Sequence, residues 1–146
     1  MRLGTLIFLS FAGFVDAAFL TIEHYTGGIL PCTTGGCETV TNSVYSTVGG
    51  VPLALFGALA YLSVFVLIIL FWYEKKALFY KMFLGIEAIG FTVSLYLVYL
   101  QLFVLHAICQ YCMFSALVST LLFWCGVGFR KSLLAPAITV APAIGE

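Results

Sequence analysis

Four apolar runs, each long enough to cross a bilayer, constrain this chain more than any other feature. A stretch of about 18 or more apolar residues with few charges reads as a transmembrane helix. The runs extend from about Leu3 to Glu23, Pro52 to Tyr73, Ala77 to Val104 and Ile108 to Phe129. Asp16 interrupts the first, and Lys81 and Glu87 fall in the third. Composition agrees: 63% of the 146 residues are apolar and 8% are charged, against roughly 45–50% and about 25% in soluble domains. Six basic and six acidic residues cancel. That leaves no basic field for nucleic acid and too little charge for a disordered chain. The expectation is an all-α membrane protein, a four-transmembrane-helix bundle in a lipid bilayer. The bundle occupies 1–131. Residues 132–146, rich in Ala and Pro, are read as a disordered cytoplasmic tail.

Basic residues near helix ends mark the cytoplasmic side of a membrane. Arg2, Lys75, Lys76, Lys81, Arg130 and Lys131 all fall on the side that four spans assign to both termini. The loop of about 28 residues after the first span and the short turn at Leu105–Ala107 carry none. Both termini are therefore placed in the cytoplasm, and the two basic-free connections face outward. A competing reading makes the first run a signal peptide cut near Ala17-Ala18. It leaves an odd number of spans, and the apolar run continues past the cut.

Of five cysteines, four lie on the outward side. Cys32 and Cys37 stand in Pro-Cys-Thr-Thr-Gly-Gly-Cys-Glu in the first loop, and Cys109 and Cys112 form Cys-Gln-Tyr-Cys at the start of the fourth span. The outward compartment is oxidising, so thiols there tend to be paired or redox-active. A spacing of three places Cys109 and Cys112 on neighbouring positions of one turn. The free N–H groups and positive dipole end of a helix start stabilise a thiolate. Two static disulfides, or a four-cysteine zinc site with His24 and His106 close by, are the competing uses of the same residues. Cys125, 13 residues beyond Cys112, is roughly 20 Å down the helix and reads as a small buried apolar residue.

Taken together these residues resemble the vitamin K epoxide reductase family, specifically its prokaryotic single-domain members. Leu20-Thr21-Ile22-Glu23-His24 ends the first helix in the family's style. Cys32 and Cys37 are followed by Glu38 and Ser43, Gly50-Val51-Pro52-Leu53-Ala54 opens the second helix, and Cys109-Gln-Tyr-Cys112 opens the last. The resemblance covers about Leu3 to Phe129. Ala116 stands where vertebrate members carry a tyrosine, and the loop cysteines are closer together than in the vertebrate enzymes. Both departures favour the prokaryotic role, DsbB-like, which is disulfide formation outside the cytoplasm of a cell membrane.

The resemblance implies a thiol–disulfide oxidoreductase that takes electrons from a thioredoxin-fold, DsbA-like partner and passes them to a membrane quinone of the ubiquinone, menaquinone or vitamin K type. It implies Cys109 and Cys112 as the active-site disulfide, with Cys112 meeting the quinone. Cys32 and Cys37 become the shuttle pair, Cys32 exchanging with the partner and Cys37 with Cys109. Ser43 becomes a quinone-binding residue, and about Glu38 to Thr47 becomes a short horizontal half-helix over the site. Tyr111 and Asp16 are added as candidate quinone-lining residues. Asp16 is an ionisable group inside a span, roughly 9–11 Å from its outer end. Its alternative is a carboxyl that only holds the bundle together. Glu87 is read as structural, reaching toward Lys81, and His106 as interfacial. Reduction of vitamin K quinone or epoxide, and a non-catalytic tetraspan protein stapled by its disulfides, are the alternative functions.

Overall fold

The apolar runs form helices because nothing inside them breaks one: in the described part of each span there is no proline. The computed structural model describes residues 2–27, 32–33 and 35–140. Its long helices are α1 (Arg2–Thr26), α3 (Leu53–Glu74), α4 (Ala77–Tyr99) and α5 (Gln110–Val140), with a short α2 (Cys37–Thr41) in the first loop. Leu3–Thr26, Leu53–Glu74, Ala77–Val104 and Gln110–Arg130 are long and apolar enough to span a membrane. The chain is a multi-pass membrane protein.

Helix α1 packs against α3 and α5, and α4 against α3 and α5, so the four long helices close a ring. The bundle interior is filled by Leu6, Val64, Ile68, Tyr80, Phe83 and Leu122. Small residues bring helices close, as in other membrane bundles. A side chain at Gly13 would lie 2.6 Å from the Tyr61 ring, and one at Gly126 would lie 2.9 Å from Phe83 and Leu84. Two tyrosine hydroxyls that face the interior find partners on other helices. The Tyr80 hydroxyl donates to the Gly126 carbonyl at 2.6 Å, and the Tyr61 hydroxyl to the Ser115 carbonyl at 2.8 Å. Large apolar side chains such as Phe8, Trp72, Ile89 and Trp124 point outward, which suits a lipid surface.

Three local features differ from the reading of the sequence. The half-helix over the site is broken: α2 ends at Thr41 and a 3-10 turn, Val44–Ser46, follows. Ser43 is extended (φ −70°, ψ 157°), which separates α2 from the turn; its hydroxyl donates to the Val40 carbonyl and that of Thr41 to the Cys37 carbonyl. A two-stranded hairpin then leads into α3, with β1 (Thr47–Val48) paired antiparallel to β2 (Val51–Pro52). Its turn is Gly49-Gly50, both at positive φ (61° and 82°), the conformation a two-residue hairpin turn demands. Pro52 consequently caps α3 from outside, and Leu53 is its first residue.

At the other end, α5 continues through Val140, into the stretch read as an irregular tail. Leu133, Leu134 and Ala135 have high helix propensity, and extending an existing helix is cheaper than starting one. Residues 141–146 lie outside the described residues.

Candidate active site

The end of the bundle that carries the α1–α3 loop gathers the four cysteines. Cys37 and Cys109 are both 0% exposed and share one cluster with Leu20 and Val40, while Cys32 and Cys112 pack at its margin. Chain elements far apart in sequence hold this arrangement. The Thr33 hydroxyl donates to Gln110 Oε1 at 2.6 Å, tying the loop to the start of α5. Gly36 presses on the segment before Cys109: a side chain there would lie 2.7 Å from the Ile108 backbone N and O. Glycine is required at that spot because backbone, not a yielding side chain, is the neighbour.

Cys32 and Cys37 are joined in a disulfide, and Cys109 and Cys112 are thiols. The resemblance made the inner pair the active-site disulfide; here the outer pair is the closed one. The Cys109 thiol is pulled down to about 6, first by the hydrogen bond that the Cys112 thiol donates to it. Burial opposes this, and the backbone N–H groups of Cys112 and Tyr111 at the helix start assist it. Of the inner pair, Cys109 is thus the sulfur that the site favours as a thiolate.

A residue that the sequence reading overlooked sets the Cys109 backbone. Gln101 is 2% exposed, and its Oε1 accepts the Cys109 N–H at 2.9 Å. Its own carbonyl accepts from the Ala107 N–H at 3.1 Å. Gln101 belongs to a π-helical segment, Leu100–Val104, that ends the third span. Such segments recur at functional sites. The turn that follows carries His106, exposed, at φ 48°.

Below the cysteines lies a cavity of about 390 Å³, within the usual range for small-molecule sites. Cys112 and Ser43 are on its upper wall, and Tyr61, Ser115, Ser119 and Glu87 are on the rest. Phe56, Ile89 and Val93 line it while remaining exposed on the outside of the bundle. The cavity thus opens sideways between α3 and α4. It is a mostly apolar chamber with a thiol at one end.

Ser43 and Cys112 are brought together on the cavity wall, but Tyr111 and Asp16 are not among the residues that line it. Tyr111 lies about 100° around the helix from Cys112, and its ring packs on Phe19 of α1 at 5.4 Å. Asp16 turns toward the start of α5, close enough for its charge to act on Cys109, and its Oδ2 is buried with no hydrogen-bond partner. Ser43 spends its hydroxyl hydrogen on the Val40 carbonyl, so it faces the cavity as an acceptor. Glu87 does not reach Lys81; it accepts from the Ser119 hydroxyl at 2.8 Å. Among the described residues, no three His, Cys, Asp or Glu side chains converge as a metal site would need.

Comparison with known proteins gives the same family that the motifs resemble. The model of the vitamin K epoxide reductase family matches residues 5–127, which reach into all four spans and include both cysteine pairs. No curated protein matches the chain. The gathered cysteines, the apolar cavity beneath them and a match over most of its length agree: the chain belongs to the vitamin K epoxide reductase family, membrane oxidoreductases that exchange thiols for disulfides and use quinones.

Proposed function

We propose that this protein oxidises the dithiol of a thioredoxin-fold, DsbA-like partner outside the cytoplasm and delivers the electrons to a membrane quinone, so supporting disulfide formation. The observation that carries this reading is the division of labour among the cysteines. Cys32 is partly accessible, Cys37 and Cys109 are buried in one cluster, and Cys112 faces the cavity. An accessible sulfur suits a protein partner, the buried pair suits internal exchange, and the cavity-facing thiol suits a lipid-soluble acceptor.

The chemistry follows from thiolate attack on disulfides. A partner thiolate attacks Cys32, releasing Cys37 as the leaving thiolate. The partner's second thiol resolves the mixed disulfide, leaving Cys32 and Cys37 reduced. Cys37 then attacks Cys109 of a closed inner pair, releasing Cys112; Cys32 attacks Cys37, closes the outer disulfide and frees Cys109. The arrangement of outer disulfide and inner thiols is the state reached at this point. A bound quinone supplies a two-electron sink. Toward it Cys112 presents its sulfur, Ser43 its hydroxyl oxygen, and the apolar walls exclude water. The side shared by Arg2, Lys75, Lys76, Lys81, Arg130 and Lys131 supports a reading with both termini in the cytoplasm and the cysteines outside.

Trapping tests the order. In Cys112→Ala, Cys109 can attack Cys37 but cannot close the inner pair, so a Cys37–Cys109 disulfide accumulates. In Cys37→Ser with Cys32 activated as a mixed disulfide with thionitrobenzoate, a partner keeping only its attacking thiol displaces the aromatic thiolate and stays bound to Cys32. Peptide mapping under non-reducing conditions that finds Cys32–Cys109 in the first variant, or no partner adduct in the second, refutes the assigned order.

A further inference from the structure

Glu87 is the buried acid that the relay above leaves unused. It is 3% exposed, lines the cavity, and is held by the Ser119 hydroxyl at 2.8 Å. Among the described residues, the ion pair present is Lys76–Glu74, well away from it. A carboxyl in an apolar wall without a cation is an expensive feature of a membrane interior, and such residues are functional by default.

Its placement relative to Cys112 gives it a task. Cys112, Ser115 and Ser119 follow one another at spacings of three and four along α5, so they share one face. All three line the cavity. Ser115 is joined to Tyr61 of α3, whose hydroxyl lies 2.8 Å from its carbonyl and 3.1 Å from its Oγ. Ser119 is joined to Glu87 of α4. The seven residues from Cys112 to Ser119 rise roughly 10 Å. The cavity therefore has a thiol at one polar end and a carboxyl at the other.

Proton balance calls for such a group. Converting a quinone to a quinol takes two electrons and two protons. The inner pair gives both electrons when its S–S bond forms, but with Cys109 as thiolate it carries only one proton, on Cys112. Resting on the quinone-reducing reading above, we infer that Glu87, oriented by Ser119, donates the second proton at the quinone oxygen remote from Cys112. In the balanced step, the Cys109 thiolate, the Cys112 thiol and the Glu87 acid become a disulfide and a Glu87 carboxylate. Two protons and two electrons leave with the quinol. The carboxylate then regains its proton from water.

The test compares wild type, Glu87→Gln and Glu87→Asp. Gln matches the size of Glu and keeps the Ser119 partner, but has no acidic proton. Three readouts are taken: the infrared carboxylic-acid C=O band of quinone-free protein, equilibrium binding of ubiquinone-1, and quinol formation in a single turnover. Wild type minus Glu87→Gln should show an acid band. Binding should stay within threefold in Gln, and the single-turnover rate should fall about a hundredfold, in the range of general acid catalysis. Asp should retain more of the rate than Gln. Absence of the acid band, a Gln rate equal to wild type, Gln and Asp equally impaired, or loss of ubiquinone-1 binding in Gln each overturns the assignment. Wild type that forms no quinol would sink the parent reading; wild type that does so beside an unimpaired Gln variant sinks only the proton donor.

Discussion

Removing the Cys112 thiol tests why Cys109 is a thiolate. The hydrogen bond from Cys112 is the largest influence pulling Cys109 from its ordinary 9.0 to about 6. At pH 7 a thiol at about 6 is roughly nine-tenths ionised, against about one part in a hundred at 9.0. The gain in reactivity is much smaller than that ratio of roughly 90. Intrinsic nucleophilicity falls about 0.4–0.5 log units per unit of pKa, which takes back roughly 15- to 30-fold and leaves a net gain of about three- to sixfold. The titration midpoint is therefore the sharper observable. In a Cys32→Ser, Cys37→Ser, Cys125→Ser background, reduced protein is titrated by ultraviolet thiolate absorbance. The intact inner pair should show its first transition near pH 6. Adding Cys112→Ala should move the single remaining transition back toward the ordinary 9.0, because burial persists while the main stabilising donor is gone. The sign is fixed: loss of a donor to the thiolate raises the pKa. A midpoint that stays near 6 without Cys112 would refute the argument and credit the helix N–H groups alone.

Three further substitutions probe the packing. Gly36→Ala sets a methyl 2.7 Å from the Ile108 backbone, so the disulfide loop must lift from Cys109. Stopped-flow exchange between the pairs should slow by about a hundredfold, as for an ångström-scale misplacement, and an unchanged rate would mean the contact is not needed. Gln101→Leu leaves the buried Cys109 N–H without its acceptor; thermal unfolding in detergent should report a loss of about 1–3 kcal/mol, and a stability equal to wild type would remove Gln101 from the account. Gly13→Ala drives a methyl into the Tyr61 ring at 2.6 Å. Overpacking of this kind costs about 1–3 kcal/mol, measurable in the same assay, and a neutral result would show that α1 and α3 separate freely.

The spans were legible because a bilayer demands about twenty apolar residues whatever the neighbours are. The cysteine motifs were legible because their spacing has few uses. What escaped depends on contacts between helices. Gln101 looks like an isolated polar residue in an apolar run; only the turn back to Cys109 gives it a function. Glu87 is six residues from Lys81, which puts the two on different faces of one helix, while Ser119 arrives from α5. Tyr111 is a cavity candidate by its place inside Cys-Gln-Tyr-Cys and Asp16 as an ionisable group within a span, but neither is among the residues that line the cavity. The Gly49-Gly50 hairpin, by contrast, left a readable signal: two glycines between the β-branched residues Thr47-Val48 and Val51.

The most direct test of the central claim is anaerobic quinone reduction by the purified protein, with a reduced thioredoxin-fold protein as donor and Cys112→Ala as control. The account predicts stoichiometric quinol formation by wild type and none by the variant. Quinol formation that survives loss of Cys112, or folded wild type that turns over no quinone with any such donor, would contradict it.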